Sequence, residues 1–349
     1  MAAPEAVIDA VRVVWLADAG HGPFQEGDST FAVLVEAAGT TGTYGPVDEL
    51  PAALIAAGLG TSAVGRRVCD HEEILAAVLA RLGQHGAGLG RWAAGALDCA
   101  VWDLHGRLAG LPVAALLTGD PAGRVPLYGS WLSLDLADSR AGEAVRRTAA
   151  EGYAFTKWAV RRGNSSPEQM AELAGRAASW AGAPVALDAL GTWGLPAAGE
   201  TGRLLPDGAV RWVEDPLPRT EPAAYRELLT RSGLPAAFGE RIDDTQQAQE
   251  LLEVGPAAFT FDVVWCGGIT QALAWMDLAA RAGVPVHLHG RAFLPALHVA
   301  AAFPEVAQAV EYQVVWEPRR QQVLTATVLP EQGQARLSDW PGLGPEVRC

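Results

Sequence analysis

A chain of 349 residues, half of them hydrophobic, is long enough for two domains or for one barrel with attachments, and it can build a large core without staples. Its formal charge of −14 argues against a nucleic-acid surface or an anionic membrane face, so an anionic ligand would need a local source of positive potential. Four scattered cysteines without a CxxC pair, an N-terminus (MAAPEAVIDA) lacking the basic and apolar regions of a secretory signal, and no uncharged apolar run of about 18 residues together predict a cytoplasmic protein that spans no membrane.

Residues 5–18 and 29–39 read as two β-strands joined by a Gly-rich loop, AGHGPFQEGD, that carries His21. Apolar residues then recur at three- and four-residue steps from Asp70 through Leu82 and from Gly90 to Leu108, the period of helices. This α+β segment, residues 1–122, is expected to form a capping domain. From Val125 the texture changes to short apolar runs alternating with amphipathic stretches: VPLYGSWL, AFTKWAV, PVALDALG, VRWVEDPL, PAAFGE, AAFTFDVV, VPVHLHG and AVEY. Eight strands with intervening helices predict a TIM-type (β/α) barrel over residues 123–318, with chemistry at the C-terminal strand ends. Residues 319–349 return to strand and turn chemistry and are expected to pack back on the first domain.

Three carboxylates end three successive runs. Asp188, Glu214 and Glu240 follow one another at 26-residue intervals, about one β/α unit, so they should project from adjacent strands into one mouth. Carboxylates held that close repel unless a cation lies among them, and an all-oxygen set suits Mg2+. The same mouth should receive Lys157 from strand two, Asp262 from strand six, His287 and His289 from strand seven, and Glu311 from strand eight. Lys157 is the single lysine in a chain with 25 arginines, so it stands where a compact, titratable amine is wanted and a guanidinium would not serve. Arg161 shares the inward parity of strand two and suits anion binding; His21 and Trp131 are further candidates for lining the ligand pocket, in which a small-molecule carboxylate would sit.

In this order and spacing, ALDCAVWDLHGRLAGLPVAALLTG, RWVEDPL, AAFGE, FDVVWCGGIT, VPVHLHG and PGLG resemble the enolase superfamily, and within it the mandelate racemase-like branch that includes the acid-sugar dehydratases. The resemblance spans essentially the whole chain. It implies Mg2+-assisted removal of the proton α to a carboxylate, with Asp188, Glu214 and Glu240 as metal ligands, His289 as the base, Asp262 as its orienting partner, and Glu311 as a protonated or proton-sharing acid on the substrate carboxylate. It also implies a homo-oligomer. Members of that superfamily use a Lys or His base with Mg2+.

Strand two departs from the pattern. Many relatives carry a KxK pair there, whereas this chain has Lys157, Trp158, Ala159. Lys157 matches the first lysine; Ala159 moves no proton. Racemisation needs acid/base groups on both faces of the substrate, while dehydration with one group that takes the α-proton and returns it to the departing hydroxyl needs only His289. The expected activity is therefore a hydro-lyase acting on a sugar acid, with a racemase or epimerase, or a catalytically reduced carboxylate-binding member, as the alternatives.

Overall fold

The computed structural model describes residues 5–16, 31–242 and 244–348. Its N-terminal sheet is a three-stranded antiparallel meander: β1 (Ala10–Trp15), β2 (Phe31–Ala37) and β3 (Thr40–Val47), in that spatial order. The third strand was not expected. Its sequence, TTGTYGPV, lacks an apolar run, yet Thr40 pairs with Ala37 across a two-residue turn in which Ala38 and Gly39 both take positive φ, the geometry of a tight hairpin. His21 lies outside the described residues.

Four helices follow: α1 (Glu49–Leu54), α2 (His71–Leu82), α3 (Leu89–Ala109) and α4 (Val113–Thr118). The long α3 is buried almost all round, because one side meets β3 and another meets the barrel. Gly95 marks the second contact: a Cβ built there would lie 2.0 Å from the Val264 carbonyl oxygen and 2.8 Å from the Gly268 nitrogen. In an open helix, glycine to alanine stabilises by about 1 kcal/mol. Here the sign should reverse, with Gly95→Ala losing roughly 3 kcal/mol in a denaturant melt because neither neighbour is a flexible side chain.

The barrel strands are β4 (Arg124–Asp135), β5 (Thr156–Ala159), β6 (Val185–Asp188), β7 (Val210–Glu214), β8 (Ala236–Gly239), β9 (Ala258–Thr260), β10 (Val286–Leu288) and β11 (Ala307–Gln313). Each pairs in parallel with its successor, and β11 closes on β4 through Val310 opposite Leu127. The eight expected runs each overlap one of these strands. Between them lie α5 (Ala141–Ala149), α6 (Pro167–Ala181), α7 (Leu195–Leu204), α8 (Pro222–Ser232), α9 (Thr245–Leu252), α10 (Ile269–Ala282) and α11 (Phe293–Ala302). Their buried faces follow the helical period, as with Met170, Ala171, Ala174 and Ala177 of α6, which Ser166 and Gln169 start with a reciprocal capping box.

After α12 (Glu317–Arg320), the tail sends one short strand, β12 (Gln334–Arg336), antiparallel onto β4. It then crosses to the cap, where Leu343 N donates to Asp103 Oδ1 at 2.7 Å and Val113 N donates to Gly342 O at 2.9 Å. Among the described residues no helix is long and apolar enough to cross a membrane.

His298 on α11 holds the cap from below, accepting from the Ala114 amide at 3.1 Å. Burial pushes its pKa down to about 4 from the usual 6.5, so the folded state keeps it neutral while the unfolded chain takes a proton below pH 6.5. Its contribution is therefore complete above pH 6.5 and is lost as pH falls toward 4. His298→Gln can still accept from Ala114 but does not titrate; thermal melts at pH 7 and pH 5 should show the variant losing about 2 kcal/mol less than the parent over that interval.

Candidate active site at the C-terminal mouth of the barrel

Parallel strands end on one side, so the residues at their C-terminal ends share a mouth. Asp188 closes β6 directly opposite Glu214, which closes β7, and Lys157 on β5 lies beside Ala186. The Lys157 ammonium is fully buried and sits 2.9 Å from Glu214 Oε1, 2.9 Å from Glu311 Oε1 and 3.3 Å from Asp188 Oδ2. The ammonium thus donates to Glu214 and pairs by charge with Asp188 and Glu311, a compact cation among carboxylates from three strands where a planar guanidinium would not fit. The acids are held from other sides as well: Trp212 Nε1 donates to Glu214 at 3.2 Å, Leu190 N to Asp188 at 2.9 Å, and Gly290 N to Glu311 at 2.8 Å.

Charge settles unevenly in this cluster. Burial lowers the Lys157 pKa, but Glu214 and Glu311 outweigh it and hold the amine protonated, well above its ordinary range. Burial likewise raises Glu311, yet Lys157 and His289 outweigh that and keep it below the usual carboxylate range. That direction runs against the expectation that Glu311 holds or shares a proton. Burial, opposed by Lys157 and reinforced by Asp188, pushes Glu214 up to about 8.

Across the mouth, His289 follows β10 and Asp262 follows β9. His289 Nδ1 lies 3.1 Å from Asp262 Oδ2, and that carboxylate is fixed by three backbone donors: Val264 N at 2.9 Å and Trp265 N at 3.0 Å on one oxygen, Ala292 N at 3.0 Å on the other. His289 Nε2 faces Glu240 Oε2 at 3.2 Å and Glu311 Oε2 at 3.5 Å. With carboxylates at both ring nitrogens, Glu311 foremost, the imidazole rises to about 9 although burial opposes it. Trp265 covers the ring at a centroid distance of 5.1 Å and itself stacks on Trp92 of the cap at 4.5 Å.

Three other expected pocket residues lie elsewhere. His287 does point into the barrel, but it packs in an aromatic layer with Trp212, Phe155 and Tyr128, where burial drives its pKa down to about 3. Period-two parity gave its direction and could not give its depth. Trp131 alternates outward: its indole N–H donates to Thr148 of α5 at 2.9 Å, while Ser130 next to it takes the inward place beside Glu311. Arg161 lies beyond the end of β5 and turns to the rim, donating to the Leu132 carbonyl at 3.0 Å with Asp135 3.7 Å away.

A family model described as Enolase C-terminal domain-like matches residues 140–348, and one for the N-terminal domain of mandelate racemase and muconate lactonizing enzyme matches residues 34–118. The chain belongs to the enolase superfamily. Among solved members, a mandelate racemase/muconate lactonizing protein from Paracoccus denitrificans complexed with magnesium superposes with a TM-score of 0.85 at 26% identity, covering 98% of this chain and 95% of that one. One from Rubrobacter xylanophilus gives 0.81 at 27%, covering 98% and 97%. An L-talarate/galactarate dehydratase of Salmonella typhimurium is 28% identical over 228 residues, 62% of this chain and 55% of that protein, so the chain spans about half the length of this curated relative.

The superfamily implies a divalent cation, and the carboxylates of β6, β7 and β8 have the chemistry for one. Asp188 and Glu214 are each raised first by burial, and Glu240 and Glu311 add to the repulsion on both. Their present partners, however, are other side chains. Lys157 takes one oxygen each of Asp188 and Glu214, Glu240 faces His289, and among the described residues no three His, Cys, Asp or Glu side chains are arranged as they stand to hold a metal ion.

Further functional neighbours carried no sequence signal. Arg291, two residues past His289, donates to Asp48 at the end of β3 at 2.6 Å and so ties the loop after β10 to the cap. Gln313 links Glu311 to the buried Arg320, which also donates to the Gly290 carbonyl.

Proposed function

We propose that this enolase-superfamily protein is a cytoplasmic hydro-lyase that dehydrates a sugar acid, an aldonate or related hydroxy acid, to a 2-keto-3-deoxy acid. Asp188, Glu214 and Glu240 would hold Mg2+, which when bound supplies the positive charge that stabilises an enediolate. Once its Nε2 has given up its own proton, His289 removes the proton α to the carboxylate, and Asp262, pinned by three backbone amides, keeps the ring's orientation while it carries the proton. The same nitrogen then returns that proton to the β-hydroxyl as the C–O bond breaks, so water leaves and the enol product becomes the keto acid. Lys157 keeps Glu311 ionised and the acid ring in register.

The observation that carries this reading is one-sidedness. His289 has its orienting carboxylate in place, whereas Ala159, opposite Asp188 on β5, is wholly buried and brings no acid or base to the other side. The dehydratase relative supports the choice of reaction. Incubating the protein and Mg2+ with a panel of sugar acids in D2O tests it: a 2-keto acid should form and should vanish with EDTA. Deuterium exchange accompanied by an epimerised acid and no keto acid would mark a racemase instead. We also propose a homo-oligomer, checked by light scattering.

A further inference from the structure

We propose that Arg241, seated on Asp215, is a positioning residue that competes with a divalent cation for Glu240 and so sets the affinity of the metal site. The inference rests on the reading that Asp188, Glu214 and Glu240 hold that cation. Arg241 Nε lies 3.0 Å from Asp215 Oδ2 and 3.2 Å from Glu240 Oε1, and the other oxygen of Glu240 reaches His289 Nε2 at 3.2 Å. One side chain therefore spans from a guanidinium to the base.

The seat for Arg241 is built rather than incidental. Asp215 follows Glu214 with a positive φ of 40°, a conformation that costs a non-glycine residue stability, and its carboxylate is 1% exposed with no aligned hydrogen bond, so the Arg241 guanidinium is the polar partner that faces it. Gly191 makes the room. A Cβ there would lie 2.6 Å from Arg241 Nη1, and the residue's φ of +70° suits glycine.

Two cations thus sit on the three candidate ligands, and they differ in freedom. Lys157 is sealed in the barrel and cannot leave Asp188 and Glu214, while the Arg241 side chain is 37% exposed and can turn aside without leaving Asp215. A divalent ion bound from the mouth needs Glu240, and Arg241 is the group positioned to contest it.

Titration calorimetry with Mg2+ alone reads this out. Arg241→Gln should tighten binding about tenfold and Asp215→Asn, which frees the guanidinium for Glu240, should weaken it about tenfold. Because Asp215 acts through Arg241, its substitution in the Arg241→Gln background should change affinity by less than about threefold. Unchanged affinity in folded Arg241→Gln, or full additivity of the pair, overturns the proposal. Should the variants fail to fold, crystals of the unaltered protein soaked in Mg2+ decide: Glu240 should leave both Arg241 and His289, and persistence of both contacts beside a bound ion overturns it. If the unaltered protein binds Mg2+ and Asp188→Asn abolishes this, the metal reading stands whatever Arg241 does. If it binds none, that reading fails and takes the proposal with it.

Discussion

His289→Asn is expected to lower turnover on the best sugar acid by about a thousand- to ten-thousandfold while the protein still folds. Its Nε2 faces the mouth, while Lys157 is held protonated and Glu311 is held below the usual carboxylate range, too weak a base to take an α-proton. Asparagine keeps a polar group against Asp262, which retains its backbone donors from Val264, Trp265 and Ala292. The melting temperature should therefore move by only a few degrees, a shift of about 1 kcal/mol. Exchange of the α-proton with solvent, followed by NMR, isolates the step. If exchange survives within tenfold of the parent, some other group is the base and the one-sided mechanism is wrong.

The arrangement of His289 and the acids was legible in sequence because it is written in strand ends, and strand ends recur at a readable interval. Asp188 and Glu214 occupy equivalent places on adjacent strands, so a 26-residue spacing translates into one row across the sheet. What parity could not carry was depth and reach. His287 and His289 share a face, yet two residues separate a place at the mouth beside Glu240 from an aromatic layer. Trp131 was misplaced by one residue, and one residue reverses the face. The Asp215, Arg241 and Gly191 assembly had no signal at all, since it depends on a backbone turn at Asp215 and on the coming together of three loops. The third strand of the cap, rich in threonine and glycine, forms because a hairpin turn and the flank of α3 supply what its composition lacks.

The lone lysine permits the sharpest test of how the site is held together. Lys157→Met replaces a buried ammonium by an apolar chain of similar length and leaves Asp188, Glu214 and Glu311 without the charge that offsets their burial. Breaking a buried ion pair by removing one partner typically costs about 3–5 kcal/mol, and three partners are stranded here. The loss should depend on pH in a definite direction. Burial already raises Asp188 and Glu214, and without Lys157 all three carboxyls would titrate above their unfolded values. A raised carboxyl is disfavoured as pH climbs past its unfolded pKa, so the variant's deficit should be largest near pH 8 and should shrink toward pH 5 as the acids take up protons. In the parent, the lysine's own contribution persists across this range, because its folded pKa lies above the unfolded one. Lys157→Arg sharpens the test further. It keeps the charge, and arginine is the cation this chain uses everywhere else, yet the planar group is too large for a fully buried point shared by three acids. Denaturant melts should place Lys157→Arg roughly 2 kcal/mol or more below the parent, with far less dependence on pH than Lys157→Met. An arginine variant as stable as the parent would mean that charge alone holds the ring, and that the shape of the ammonium does not matter.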